Sequence, residues 1–177
     1  MKSNQVYIHY GSNHFIKERF VPPRNCWWKP KPETSTGLWA SREDDPFGWK
    51  CWCERNNFSL ACLDQAFRFT LSESANLITL QFADQLSDLP RLSPADILRG
   101  QSDSGHDIPL EIAELIPRTW CFLDYEKMAS DGIDAIEIIN WPELQETLAT
   151  WDCNSIYIMN PDIICEMTEG TMQESHV

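Results

Sequence analysis

An α+β domain of about six short strands and few helices is what this sequence predicts. Three observations lead there. Short β-branched and aromatic runs recur along the chain, bounded by Gly, Asn and Pro. Helix signals are confined to brief stretches. The 177 residues are 42% hydrophobic and include eight Trp, enough for one domain over residues 1–177 with a packed core, and too apolar for disorder.

Residues 5–10 form the first expected strand, broken by Gly11-Ser12-Asn13. Residues 22–36 hold Pro22, Pro23, Pro30 and Pro32 and read as a long extended loop, because proline fixes φ and biases the preceding residue toward extended backbone. Residues 37–41 are a second short strand. A helix or irregular turn then carries Phe47, Trp49, Trp52 and Phe58, with the Trp49/Trp52 pair expected in the core. Residues 66–71 alternate as a strand does, and 76–81 form the next. Residues 86–118, with four prolines and a Gly/Ser/Asp tract, read as a mobile loop region with short helices. Asp124 is placed to cap a helix over 125–130 that Gly132 ends. Residues 134–139 are a strand, 142–149 a short helix or loop, and 155–159 the last strand, closed by Asn160-Pro161.

No run of 18 apolar residues exists, so no membrane span is expected. The polar start, Met1-Lys2-Ser3-Asn4-Gln5, does not resemble a signal peptide, and the expectation is a soluble cytoplasmic protein. Seven cysteines without an export signal are expected to be reduced thiols. Cys51 and Cys53, with Cys26 and Cys62 at looser spacing, match a zinc site poorly, so buried free cysteines are preferred and no metal ligand is assigned. The net charge of −13 is uneven. Residues 1–50 carry eight Lys/Arg against five Asp/Glu, a net of +3, which leaves −16 for the remainder. Such an acidic surface argues against direct nucleic-acid binding, and the basic share sits where an anionic ligand would be met.

Four pieces carry a family resemblance. They are His9 with the Gly11-Ser12 turn, Gly37-Leu38-Trp39-Ala40-Ser41, Asp131-Gly132-Ile133-Asp134-Ala135-Ile136, and the run from Ser155 through Asn160-Pro161 to Ile164. In this order the chain resembles ADP-ribosyltransferase-like proteins. It is also similar to a group of bacterial and phage proteins with Gly-Leu-Trp-Ala-Ser and Trp-Asp-Cys-x-Ser motifs, from which no function transfers. The resemblance implies two small, mostly antiparallel sheets around an NAD cleft. It implies that His9 binds a ribose, that Tyr10, Gly11 and Ser12 border the ligand, that Trp39 stacks on nicotinamide in place of a Tyr, and that Ser41 steadies the catalytic carboxylate.

Each of those residues has a structural alternative. His9 is equally a strand-end His bonded to backbone, Gly11 a turn glycine, Trp39 a core filler and Ser41 an ordinary strand-end Ser. Ser155 is the departure, since it stands where the family carries its catalytic Glu. A hydroxyl supplies no negative charge for an oxocarbenium-like transition state. Asp152, three residues earlier, is the first replacement candidate, with a turn cap as its plainer reading. Glu137 is the second, if its face points inward. Alternation sets Ala135, Glu137 and Ile139 against Ile136 and Ile138 without deciding which face is buried, and the preferred expectation leaves Glu137 in solvent. Cys153 as a nucleophile lacks a His partner in sequence, and the four His have no metal spacing. Two functions follow as expectations: an NAD-dependent ADP-ribosyltransferase acting on a protein or nucleic-acid target, or an inactive acidic relative that inhibits a basic nucleic-acid-binding partner. A structural zinc module is the third.

Overall fold

A computed structural model describes residues 5–26, 29, 31–93, 96–97 and 120–167. Within them seven strands pair into one mixed sheet: β1 (Tyr7–Tyr10), β2 (Leu38–Arg42), β3 (Ala66–Leu71), β4 (Leu77–Leu80), β5 (Ala135–Ile138), β6 (Ser155–Ile158) and β7 (Ile164–Glu166). Their order is β4-β5-β6-β2-β1-β3-β7. Every pairing is antiparallel except that of β4 with β5. The six expected strands are all present, and β7 is an addition. The two small sheets expected are instead one continuous sheet.

Among the described residues helices are few and short, and they include α1 (Trp49–Asn56), α2 (Tyr125–Ser130) and α3 (Trp141–Leu144). α2 begins as expected, with the Asp124 side chain accepting from the Lys127 amide. Gly132 follows at φ +81°, a left-handed conformation suited to glycine. Most of the region expected to be a mobile loop, residues 94–95 and 98–118, lies outside the described residues. Among the described residues no helix is long and apolar enough to cross a membrane.

The sheet is covered on both faces. One core gathers Leu80, Leu86, Leu123, Tyr125, Met128, Ile136, Ile138 and Trp151 around Tyr157. The other holds Tyr7, Phe67, Phe69, Ala135, Ile156, Ile158 and Ile163. Double coverage buries all four residues of β5, which is why its alternation pointed to neither face. Glu137 is therefore not in solvent. It is 2% exposed and held in a two-pronged pair with Arg42, Nε to Oε1 and Nη2 to Oε2 each at 2.8 Å. Thr79 donates to the same carboxylate at 3.4 Å.

Trp49 and Trp52 also differ from expectation. α1 buries only Cys53, and the two indoles stack at 5.1 Å on its half-exposed flank, with Phe58 edge-on to both. Phe58 and Phe47 are themselves exposed. The helix is too short and too polar around its girth to bring both indoles into either core.

Candidate functional site

Strand β2 divides its hydrogen bonds between two neighbours. Leu38, Trp39 and Ala40 pair with β6, whereas Ser41 and Arg42 pair with β1. β1 leaves β2 after Ile8 and continues along β3 through Tyr10. A gap opens between His9-Tyr10 and Trp39-Ala40, and there the sheet holds a cleft of about 370 Å³. That is within the size range of small-ligand sites.

The cleft brings together six of the residues singled out from sequence: His9, Tyr10, Trp39, Ser41, Asp152 and Ser155. Gly11, Ser12 and Glu137 are not among its lining residues. Gly11 sits at φ +109° with open space around an added Cβ, so its turn conformation, and not a close approach, calls for glycine. The Ser12 hydroxyl donates to the His14 carbonyl at 3.3 Å. Glu137 belongs to the Arg42 pair described above.

His9 crosses the gap. Its Nδ1 lies 2.6 Å from the Trp39 carbonyl oxygen, which can only accept, so Nδ1 carries the proton. Burial pushes the His9 pKa below its ordinary value, with the carbonyl bond opposing. A neutral ring protonated at Nδ1 keeps Nε2 as an acceptor. The backbone-bound alternative is thus real, and it orients the ring without using its second nitrogen.

Trp39 is fixed by other aromatics. It meets Trp151 edge-on at 4.7 Å and Tyr157 at 4.9 Å. Trp151 in turn donates to the Tyr125 hydroxyl at 3.3 Å. Tyr157 fits because Gly37 lies against its ring: a Cβ there would stand 2.4 Å from Cε2. The Trp39 Nε1 and the Thr150 Oγ1 are buried without a hydrogen-bond partner among the described residues, and both residues line the cleft. Orphaned polar atoms are uncommon in folded proteins and collect where a ligand or water completes the bonding.

The remaining wall comes from the segment before β6. Asn154, 4% exposed, anchors it: Nδ2 donates to Asp45 Oδ2 and to the Ile139 carbonyl, and Oδ1 accepts from the Trp141 amide at 2.7 Å. Ser41 adds a second tie, donating to the Asn154 carbonyl at 2.9 Å and accepting from the Trp49 amide at 3.0 Å. Its hydroxyl joins β2, α1 and the β6 approach. Ser155 Oγ donates to the Cys153 carbonyl at 3.2 Å. Cys153 is buried and its thiol is pushed up to about 12, mainly by burial and then by Asp152, so it stays protonated and is a poor nucleophile.

Asp152 faces Lys31: Oδ2 lies 3.9 Å from Nζ, in place of the turn cap expected for it. Lys31 was not singled out from sequence, although the basic bias of residues 1–50 pointed toward it. Its loop is pinned at both ends. Asn25 Oδ1 accepts from the Tyr125 amide at 2.7 Å and Asn25 Nδ2 donates to Asp124 at 3.0 Å. Asn25 also bridges Pro32, and Thr36 Oγ1 meets the Tyr157 hydroxyl at 2.9 Å. All seven cysteines are free thiols, and among the described residues no group of three or more His, Cys, Asp or Glu is placed to hold a metal. No protein-family model, curated protein or solved structure matches this chain.

Proposed function

We propose that the cleft binds NAD and that the chain is an ADP-ribosyltransferase-like enzyme using Asp152 in place of the usual Glu. The observation that carries this reading is the convergence of His9, Trp39 and Asp152, distant in sequence, on one cavity beside Ser155. His9 Nε2 accepts a hydrogen bond from a ribose hydroxyl. The indole of Trp39, braced by Trp151 and Tyr157, provides a flat apolar face for the nicotinamide ring. Asp152 supplies the negative charge that favours the oxocarbenium-like sugar as the glycosidic bond breaks and nicotinamide departs with the bonding electrons. A nucleophile on the target then attacks the anomeric carbon. Ser155 contributes no charge and has its hydroxyl turned to Cys153.

Calorimetric titration of the purified protein with NAD, paired with an assay for released nicotinamide, tests the proposal. Binding that is lost in His9→Ala and cleavage that is lost in Asp152→Ala are the expected results. An absence of both heat and thermal shift with NAD would sink it.

The second reading, an inactive acidic protein that inhibits a basic nucleic-acid-binding partner, draws on a different surface. Glu43, Asp44, Asp45 and Glu54 line a second cavity beside the exposed Phe47. Salt-sensitive capture of a basic partner, abolished by charge reversal at Asp44 and Glu54, is its expected signature.

A further inference from the structure

We infer that Lys31 is a phosphate-binding residue that also governs Asp152: a nucleotide phosphate entering the cleft draws the Lys31 ammonium off the carboxylate and leaves Asp152 free to face the ligand's sugar. The inference rests on the dinucleotide reading above and names how that site is switched on.

Among the residues lining the cleft, Lys31 is the one lysine or arginine and Asp152 the one carboxylate. They face each other, but at 3.9 Å. A charge-assisted hydrogen bond closes to about 2.7–2.9 Å, so this pair is held by charge alone and lacks a directional bond. The Lys31 side chain is only 18% exposed, and its ammonium, at the cleft, has a single loose ion-pair partner among the described residues. Among the described residues the ammonium makes no hydrogen bond. A phosphate, with several acceptor oxygens, satisfies three ammonium donors better than one distant carboxylate oxygen does.

The backbone around Lys31 is anchored through Asn25, Pro32 and Thr36, whereas the four-carbon stem has rotatable bonds of its own. The exchange of partners therefore needs no movement of the loop. It also has a chemical consequence. A carboxylate neutralised by an adjacent ammonium offers little to a developing positive charge, and one released from it offers its full charge. His9, neutral and crossing the gap, does not compete for the phosphate.

The test is a set of titrations with NAD, ADP-ribose and adenosine on the wild type, Lys31→Ala, Lys31→Arg, Asp152→Asn and the Lys31→Ala/Asp152→Asn double variant. Lys31→Ala is expected to weaken NAD and ADP-ribose about tenfold and leave adenosine unchanged, in line with the loss of one charge-assisted contact. Lys31→Arg should retain most of the binding, which separates this loss from misfolding. Asp152→Asn is expected to tighten ADP-ribose, and only while Lys31 is present. Wild-type binding of NAD with no response to Lys31→Ala, or equal tightening by Asp152→Asn in the Lys31→Ala background, overturns the inference and leaves the dinucleotide reading standing. A wild type that binds neither NAD nor ADP-ribose overturns both.

Discussion

Two carboxylate–cation pairs in this molecule make opposite use of the same chemistry. Glu137 and Arg42 are locked at 2.8 Å through two parallel bonds, with the carboxylate 2% exposed and Thr79 beside it. Asp152 and Lys31 stand 3.9 Å apart, with the carboxylate 43% exposed at the wall of a cleft. In the first pair both carboxylate oxygens are engaged by the guanidinium. In the second the charges are near enough to offset each other and too far apart for a directional bond. Buried, bidentate pairing marks a structural role, and loose pairing in a cavity marks a candidate chemical one.

The largest effect is expected from breaking the tight pair. Glu137→Ala leaves the Arg42 guanidinium, 33% exposed, without its carboxylate beside Tyr7 and should cost about 3 kcal/mol, a loss readable in urea denaturation. A loss below about 1 kcal/mol would mean that Arg42 swings out to water and that the two pairs differ less than their geometry implies. Next comes Gly37→Ala. The added methyl meets the Tyr157 ring at a backbone φ of +59°, for an expected cost of about 2–3 kcal/mol, with Trp39 displaced as Tyr157 gives way. Asn154→Ala, which removes three hydrogen bonds around the cleft wall, should cost about 2 kcal/mol and impair NAD binding together with stability.

A smaller effect is expected from pH. The folded protein holds His9 below the ordinary histidine pKa, so the unfolded chain binds the extra proton first. Stability contributed by the neutral ring is present above about pH 6.5 and is lost as pH falls below it, at no more than about 1.4 kcal/mol per pH unit. Melting temperatures between pH 7.5 and 5 should fall more steeply for the wild type than for His9→Gln, and parallel profiles would contradict a lowered His9 pKa. Nitrogen shifts of the ring should show the proton on Nδ1. The smallest effect is reserved for the loose pair: Asp152→Asn should change stability by less than about 0.5 kcal/mol, while the NAD cleavage proposed above is lost. A large destabilisation would make Asp152 a second Glu137.

The contrast between the pairs also marks what the sequence could convey. Strands were legible because each is a short β-branched or aromatic run ended by a turn former, and the α2 cap was legible because Asp124 and Gly132 act locally. His9, Trp39 and Asp152 were legible as candidates. Their meeting was implied only by the resemblance, because it depends on where the β6 and β1 ladders on either side of β2 end, and nothing in Ala40 or Ser41 encodes that. Glu137 was misjudged for a related reason: with both faces of β5 covered, alternation carries no information, and its partner Arg42 lies 95 positions away. Lys31 escaped notice because a proline-rich loop reads as slack, whereas Asn25 and Thr36 fasten this one to α2 and β6. The Trp49/Trp52 pair shows the converse error, in which large apolar side chains were assigned to a core that their short helix does not reach.

The parting of β1 from β2 has a bearing on how such a site changes over generations. Each strand keeps its ladder on the far side, β1 with β3 and β2 with β6, so the gap removes no pairing on which either depends. Side chains that border it, His9, Trp39 and Ser155 among them, are positioned by backbone that would remain if their chemistry were exchanged. The cleft is thus a place where inheritance can rewrite reactivity while leaving the architecture intact.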